Sequence, residues 1–253
     1  MNNVSEIQGR KIFFLHPAVV VQNQIVAELV QQEFEVYLVK DHDTIRKAIG
    51  KYPDSIIFVD INEMMAETEW EKWIRGMMKN HPDISVGIIT ANHSEDLMRK
   101  YINSVKVDCG YTVLKADLKK SIAHILEILL HANAKGRRKY IRANTENETS
   151  TTLNLPHGGS FINGVIKDIS VVGMSCSFDH DPELAKNSLF RDIQIKLQSM
   201  LLKTEGIVFG SRMDSTSKIY VFLFTQRIDP EVRTKIRKYI QHNLQSKMDT
   251  ELK

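Results

Sequence analysis

The chain is predicted to fold as an α/β domain with a parallel sheet, followed by a small antiparallel β-barrel with a C-terminal helix. Three observations predict this. Through about residue 132, short apolar runs alternate with segments whose apolar residues recur at helical spacing, the signature of βαβ units. From Thr152 onward, strand-like segments follow one another with turn signals between them, the cadence of a small barrel. The chain then closes on an amphipathic stretch whose Val232, Ile236, Tyr239, Ile240 and Leu244 mark one apolar face.

Five strands are expected in the first domain: Lys11 to Leu15, Phe34 to Val39, Ser55 to Val59, Ile84 to Thr90 and Tyr111 to Leu114. Helices are expected between them near Val20 to Gln32, Thr44 to Lys51, Glu67 to Lys79 and Ser94 to Asn103. A fifth helix, from Asp117 to about Ala132, carries Leu118, Ile122, Ile125, Leu126 and Leu129 at the 3.6-residue period, with Asp117 as its cap. Trp70, Trp73, Met77 and Met78 form a stripe at helical spacing, a pattern that usually marks core. The second set of strands reads Thr152 to Leu155, Phe161 to Lys167, Met174 to Phe178, Ile193 to Leu197, Leu201 to Arg212 and Lys218 to Phe224. Asp229-Pro230-Glu231 opens the last helix, with an N-cap followed by proline at the first helical position. The expected domains are 1–132 and 133–253.

Composition excludes several classes of function. With 253 residues and ordinary apolar and charged fractions the chain builds two proper cores, and a formal net charge of +3 is too mild to imply nucleic-acid binding. The two cysteines, Cys109 and Cys176, lie far apart, which speaks for a reducing compartment and against a CxxC redox or zinc motif. Met1 to Arg10 lacks the apolar centre of a signal peptide and no run approaches membrane-span length, so a cytoplasmic protein is expected. His124 and His131 lack a third ligand nearby, no catalytic triad is readable from spacing, and Gly158-Gly159 lacks the Lys and Ser/Thr of a P-loop. No enzyme, cofactor or metal is expected.

Two short motifs carry the functional signal. Arg137-Arg138-Lys139-Tyr140-Ile141-Arg142 places guanidinium groups at i and i+4, suited to phosphates and to the O6/N7 edge of guanine. Asp168-Ile169-Ser170-Val171-Val172-Gly173 then supplies a carboxylate and a hydroxyl for a purine's donor edge. RxxxR alone is weak evidence, because Arg233-Thr234-Lys235-Ile236-Arg237 repeats it within the last helix, where the arginines read as a solvated surface. Its position, after a helical pattern and before an all-strand region, gives the first motif its weight. RxxxR followed by DxSxxG resembles the PilZ family of cyclic di-GMP receptors. That resemblance implies a barrel with a flanking helix, a binding role without catalysis, and cyclic di-GMP as ligand.

Carried over residue by residue, the resemblance makes Arg138 and Arg142 the clamp, each pairing charge with stacking of a planar guanidinium on a purine face. Arg137 supports them. Asp168 accepts from guanine N1–H and the 2-amino group, Ser170 adds a hydrogen bond, and Gly173 allows backbone to pass near the ligand or to turn with positive φ. For Asp168 and Ser170 the competing reading is a turn in which each bonds its own backbone. The segment Ala134 to Arg142, with a small-residue and glycine hinge before its basic residues, is expected to lack packing until an anion neutralises it. Ligand binding would then change the arrangement of the domains, and a protein partner would read it through the first domain or the barrel, in motility, surface polysaccharide or virulence control.

The first domain resembles the response-regulator receiver domain, of flavodoxin-like order: Asp60 ends the third strand where that family has its phospho-acceptor, Thr90 ends the fourth and Lys115 the fifth. It departs where the family needs an acidic pair for Mg²⁺, since the first strand ends in Leu15-His16-Pro17, and Asp41 and Asp43 follow the second strand. The expected receiver-like domain is therefore degenerate, a docking or dimerising platform. The alternatives are a phosphorylation-dependent response regulator with Asp60 as input, and a ligand-independent adaptor.

Overall fold

The computed structural model of the chain describes residues 9–62, 64–115, 117–146, 148–214 and 217–253; the polar start of the chain, residues 1–8, lies outside them. Two compact units emerge, one running to Lys139 and including Gln245–Lys253, the other formed by Tyr140–Leu244.

The first unit is a five-stranded sheet of order β2-β1-β3-β4-β5, built from β1 (Ile12–Leu15), β2 (Val36–Val39), β3 (Ile56–Asp60), β4 (Ser85–Thr90) and β5 (Tyr111–Val113). Every pairing is parallel. This is the flavodoxin-like, receiver-like order expected from the sequence. Every residue of β1, β3 and β4 is buried, as a parallel sheet covered on both faces demands.

The helices are α1 (π-wound over Val21–Val26, continuing as Ala27–Gln31), α2 (His42–Lys51), α3 (Glu67–Asn80), α4 (Glu95–Arg99, π-wound through Lys100–Val105) and α5 (Leu118–His131). Helix α2 begins two residues before the apolar pattern, because the Asp41 carboxylate accepts from the Thr44 amide at 2.7 Å and caps it. Asp117 caps α5 by accepting from the Lys119 amide. Of the aromatic and methionine stripe, Trp70 and Met77 are core while Trp73 and Met78 are half-buried.

The end of the chain packs with this first unit, which the expected division at 132/133 does not include. The Gln245 side-chain amide accepts from Leu38 N–H and donates to Leu38 C=O, satisfying both polar groups on the outer side of edge strand β2. Lys51 and Tyr52 both reach the Glu251 carboxylate, and Lys47 reaches the carbonyl of Leu252.

The first residues of the expected hinge are also packed here. Ala134 is buried and accepts from the Arg10 amide, and Lys135 Nζ lies 4.7 Å from the centre of the Phe34 ring. Gly9, at φ +90°, has no room for a Cβ, which would fall 2.7 Å from the Ala134 carbonyl oxygen. So Ala134 and Lys135 do not wait for a ligand to find partners.

The second unit contains β6 (Ala143–Asn144), β7 (Thr151–His157), β8 (Ser160–Ser170), β9 (Gly173–Phe178), β10 (Leu189–Leu197), β11 (Met200–Met213) and β12 (Lys218–Phe224). Strands β8-β7-β10-β11-β12-β9 run antiparallel and close into a barrel through β8–β9, which leaves no open edge in the ring. Leu153, Ile166, Cys176, Ile193, Ile195 and Phe222 fill its core.

The two-residue strand β6 pairs with β8 and is too short to show a period in sequence. Helix α6 (Pro230–Glu251) starts as read, with Asp229 accepting from the Glu231 amide at 2.7 Å and Pro230 at its first position. Ile236, Tyr239 and Ile240 are its buried face, and the Tyr239 hydroxyl bonds Glu148 and Thr151. Arg233 and Arg237 are half-buried and not the solvated surface their spacing implied, because α6 is covered on more than its apolar stripe. Among the described residues no helix is long and apolar enough to cross a membrane.

Candidate functional site

Strands β8 and β9 form a hairpin in which Asp168 faces Ser175, Ile169 faces Met174 and Ser170 faces Gly173. A bulge between Ile166 and Asp168 takes Lys167 out of phase and resets the alternation. Ile166, Ile169, Met174 and Cys176 then fall to the buried core, and the two-residue period places Asp168, Ser170, Gly173 and Ser175 on the opposite face of the hairpin. Four polar or side-chain-free positions thus share one patch.

Strand β6 brings in the arginine. Ala143 and Asn144 pair with Ile169 and Asp168, so Arg142, immediately before them, passes beside the carboxylate. Its Nη1 stands 3.2 Å from Asp168 Oδ1, an ion pair joining residues 26 apart in sequence. The other oxygen, Oδ2, accepts from the hydroxyl of Ser175, a residue that is 3% exposed. Asp168 therefore does not make the backbone turn that competed with a site role.

Ser170 does make such a turn: its hydroxyl donates to Gly173 C=O at 3.1 Å and accepts from the Val172 amide. Gly173 is explained differently from expectation. Its φ is not positive. A Cβ there would come closer than 3.0 Å to the Phe222 carbonyl oxygen and within 3.3 Å of Leu223 Cα, so the neighbouring strand β12 is what requires glycine.

Arg137 and Arg138 are exposed, outside any helix or strand, and belong to the first unit. The structure thus joins Arg142 directly to Asp168, while Ser170 and Gly173 lie in the same hairpin. Ser175 was not singled out in the sequence; its signal is its place two residues beyond Gly173, opposite Asp168 in the hairpin register.

In the first unit, the Asp60 position is closed. The side chain is 2% exposed; Oδ2 accepts from the Ala18 amide at 3.0 Å, and Oδ1 accepts from the amide and side chain of Asn62. The Asn62 side-chain oxygen in turn accepts from Thr90 Oγ1. Lys115 is exposed. Where the acidic pair would stand, His16 packs edge-on against His42 and Trp70, and burial holds both histidines below the ordinary imidazole range.

Residues 136–242 match the PilZ domain, and this part of the chain is a PilZ domain. Preceding it is the receiver-like parallel-sheet unit. A search of curated proteins finds no match. Among solved structures, the chain is similar to the PilZ domain of YcgR from Escherichia coli with c-di-GMP: 16% identity, 46% of this chain, 96% of that one, TM-score 0.38. It is also similar to YcgR in complex with c-di-GMP, at 17% identity and TM-score 0.39, over 46% of this chain and 51% of that chain. A third likeness is to the signal receiver domain of an HD domain-containing protein from Pseudomonas fluorescens Pf-5: 12% identity, 51% of this chain, 100% of that one, TM-score 0.39.

Proposed function

We propose that the protein is a non-enzymatic receptor for cyclic di-GMP, bound at the β8–β9 hairpin by Arg142 and Asp168, with Ser170 and Gly173 holding the hairpin turn against β12 and Arg138 and Arg137 completing the clamp. The observation that carries this reading is the meeting of Arg142 with Asp168 inside a PilZ domain: a guanidinium and a carboxylate, taken from the two motifs, share one accessible patch. Arg142 is 49% exposed and Asp168 25%, so their mutual attraction is worth only about 0–1 kcal/mol and is readily exchanged for stronger contacts. The guanidinium then turns to phosphate or guanine O6/N7, and the carboxylate to the guanine N1–H and 2-amino donors. No bond is broken. Ligand held by Arg138 and Arg142 changes the arrangement of the two units, which a protein partner reads.

Titration calorimetry with cyclic di-GMP, GTP and cyclic GMP tests this. Arg142→Ala and Arg138→Ala each remove a charge-assisted hydrogen bond worth about 1.5–3 kcal/mol, a loss of roughly ten- to a hundredfold in affinity. Arg191→Ala, on strand β10 away from β8 and β9 in the barrel order, leaves affinity unchanged. Wild-type affinity in both clamp variants refutes the site.

A further inference from the structure

We propose that Ser175 is a positioning residue that sets the guanine selectivity of the site; the inference rests on the cyclic di-GMP reading above. Asp168 and Ser175 are direct cross-strand partners on one face of the β8–β9 hairpin. The Ser175 hydroxyl has no acceptor role toward Asp168 when the carboxylate is ionised; it donates, and it donates to Oδ2. Ser175 is 3% exposed, and its proton is committed to Oδ2 and not to solvent. Oδ1 carries the contact to Arg142. The two oxygens are thus held differently: Oδ2 is anchored to the barrel wall through one lone pair and keeps the other for a ligand donor, while Oδ1 carries the exchangeable partner.

This division has a chemical consequence. An aspartate has two torsions, and a carboxylate free to rotate about the second must be ordered before both oxygens can meet two donors at once. Anchoring Oδ2 fixes the carboxylate plane, and a fixed plane favours a ligand edge with two parallel donors spaced as N1–H and the 2-amino group are in guanine. Pinning by a buried second residue is how a site converts hydrogen-bond geometry into discrimination. The bulge at Lys167 brings Asp168 opposite Ser175 and not opposite a core residue.

The test compares cyclic di-GMP with cyclic di-IMP, which keeps N1–H and lacks the 2-amino group. Calorimetry is run on the full chain as wild type, Ser175→Ala and Ser175→Cys. The cysteine variant leaves no void and supplies only a weak donor, so it reports even where the alanine variant does not fold. The wild type prefers cyclic di-GMP, and either variant lowers the ratio of the two affinities by roughly five- to tenfold, a part of what one hydrogen bond to a charged group contributes. A merely structural serine lowers both affinities alike and leaves the ratio unchanged, which overturns the proposal. A wild type that binds both ligands equally also overturns it while leaving the receptor reading in place. Absence of cyclic di-GMP binding by the wild type overturns the receptor reading itself, and this inference with it.

Discussion

Replacing Gly173 by alanine separates a structural requirement from a ligand contact. The added Cβ is directed at β12, closer than 3.0 Å to the Phe222 carbonyl oxygen and 3.3 Å from Leu223 Cα. That strand is paired on both sides, to β11 and to β9, so its backbone has nowhere to withdraw without breaking ladder bonds. Overpacking of this kind costs about 1–3 kcal/mol. Against it stands the entropy gained by removing a glycine from the unfolded chain, about 0.4–1 kcal/mol where the native φ is tolerated.

The net loss is about 1–2 kcal/mol, which lowers the melting temperature of a domain of this size by on the order of 10 °C. Gly210 in β11 is the control, since a Cβ there meets nothing within 4 Å; Gly210→Ala is neutral or slightly stabilising. Both tryptophans, Trp70 and Trp73, lie in the first unit, so fluorescence reports that unit while far-ultraviolet circular dichroism also sees the barrel. The expected result is a circular-dichroism transition shifted down in Gly173→Ala and not in Gly210→Ala. A Gly173→Ala barrel that melts with the wild type refutes the packing argument and returns Gly173 to the ligand. Loss of cyclic di-GMP binding in a destabilised Gly173→Ala is then no evidence of contact.

Two further outcomes follow from the first unit. Incubation with small phosphodonors and Mg²⁺ yields no stable aspartyl phosphate at Asp60, because both its oxygens already accept hydrogen bonds in a site 2% exposed; a stoichiometric acyl phosphate seen by mass spectrometry and lost in Asp60→Asn contradicts this. His16 and His42 have folded pKa values below the ordinary 6.5, burial being the main cause, opposed by the charges of Asp41 and Asp60 at His16 and of Asp41 and Asp43 at His42. Folding therefore favours the neutral rings, so their contribution is full above the unfolded pKa and is lost as pH falls below about 6.5. Urea unfolding followed by tryptophan fluorescence shows lower stability at pH 5.5 than at 7.5, and His42→Phe flattens that slope; an unchanged slope in the variant rules out the histidine pair as its source.

Much of the fold is written locally. Strands β1, β3 and β4 are continuous apolar runs, which only a sheet covered on both faces accommodates, and the caps Asp117 and Asp229 mark their helices by short-range hydrogen bonds. The two motifs were legible for the same reason, since RxxxR and DxSxxG are defined by spacing along one chain.

What tertiary structure decided depends on residues far apart in sequence. The closeness of Arg142 to Asp168 follows from the pairing of β6 with β8, and β6 is two residues long, below the length at which any period can be read. Gly173 is glycine because β12 runs against it, and Ser175 reaches Asp168 because a bulge sets the register. The last turns of α6 count with the first unit through Gln245 and Leu38, separated by 207 positions. Local sequence carries propensity, capping and alternation, whereas register, strand neighbours and the docking of a helix end are set by which distant surfaces bury one another.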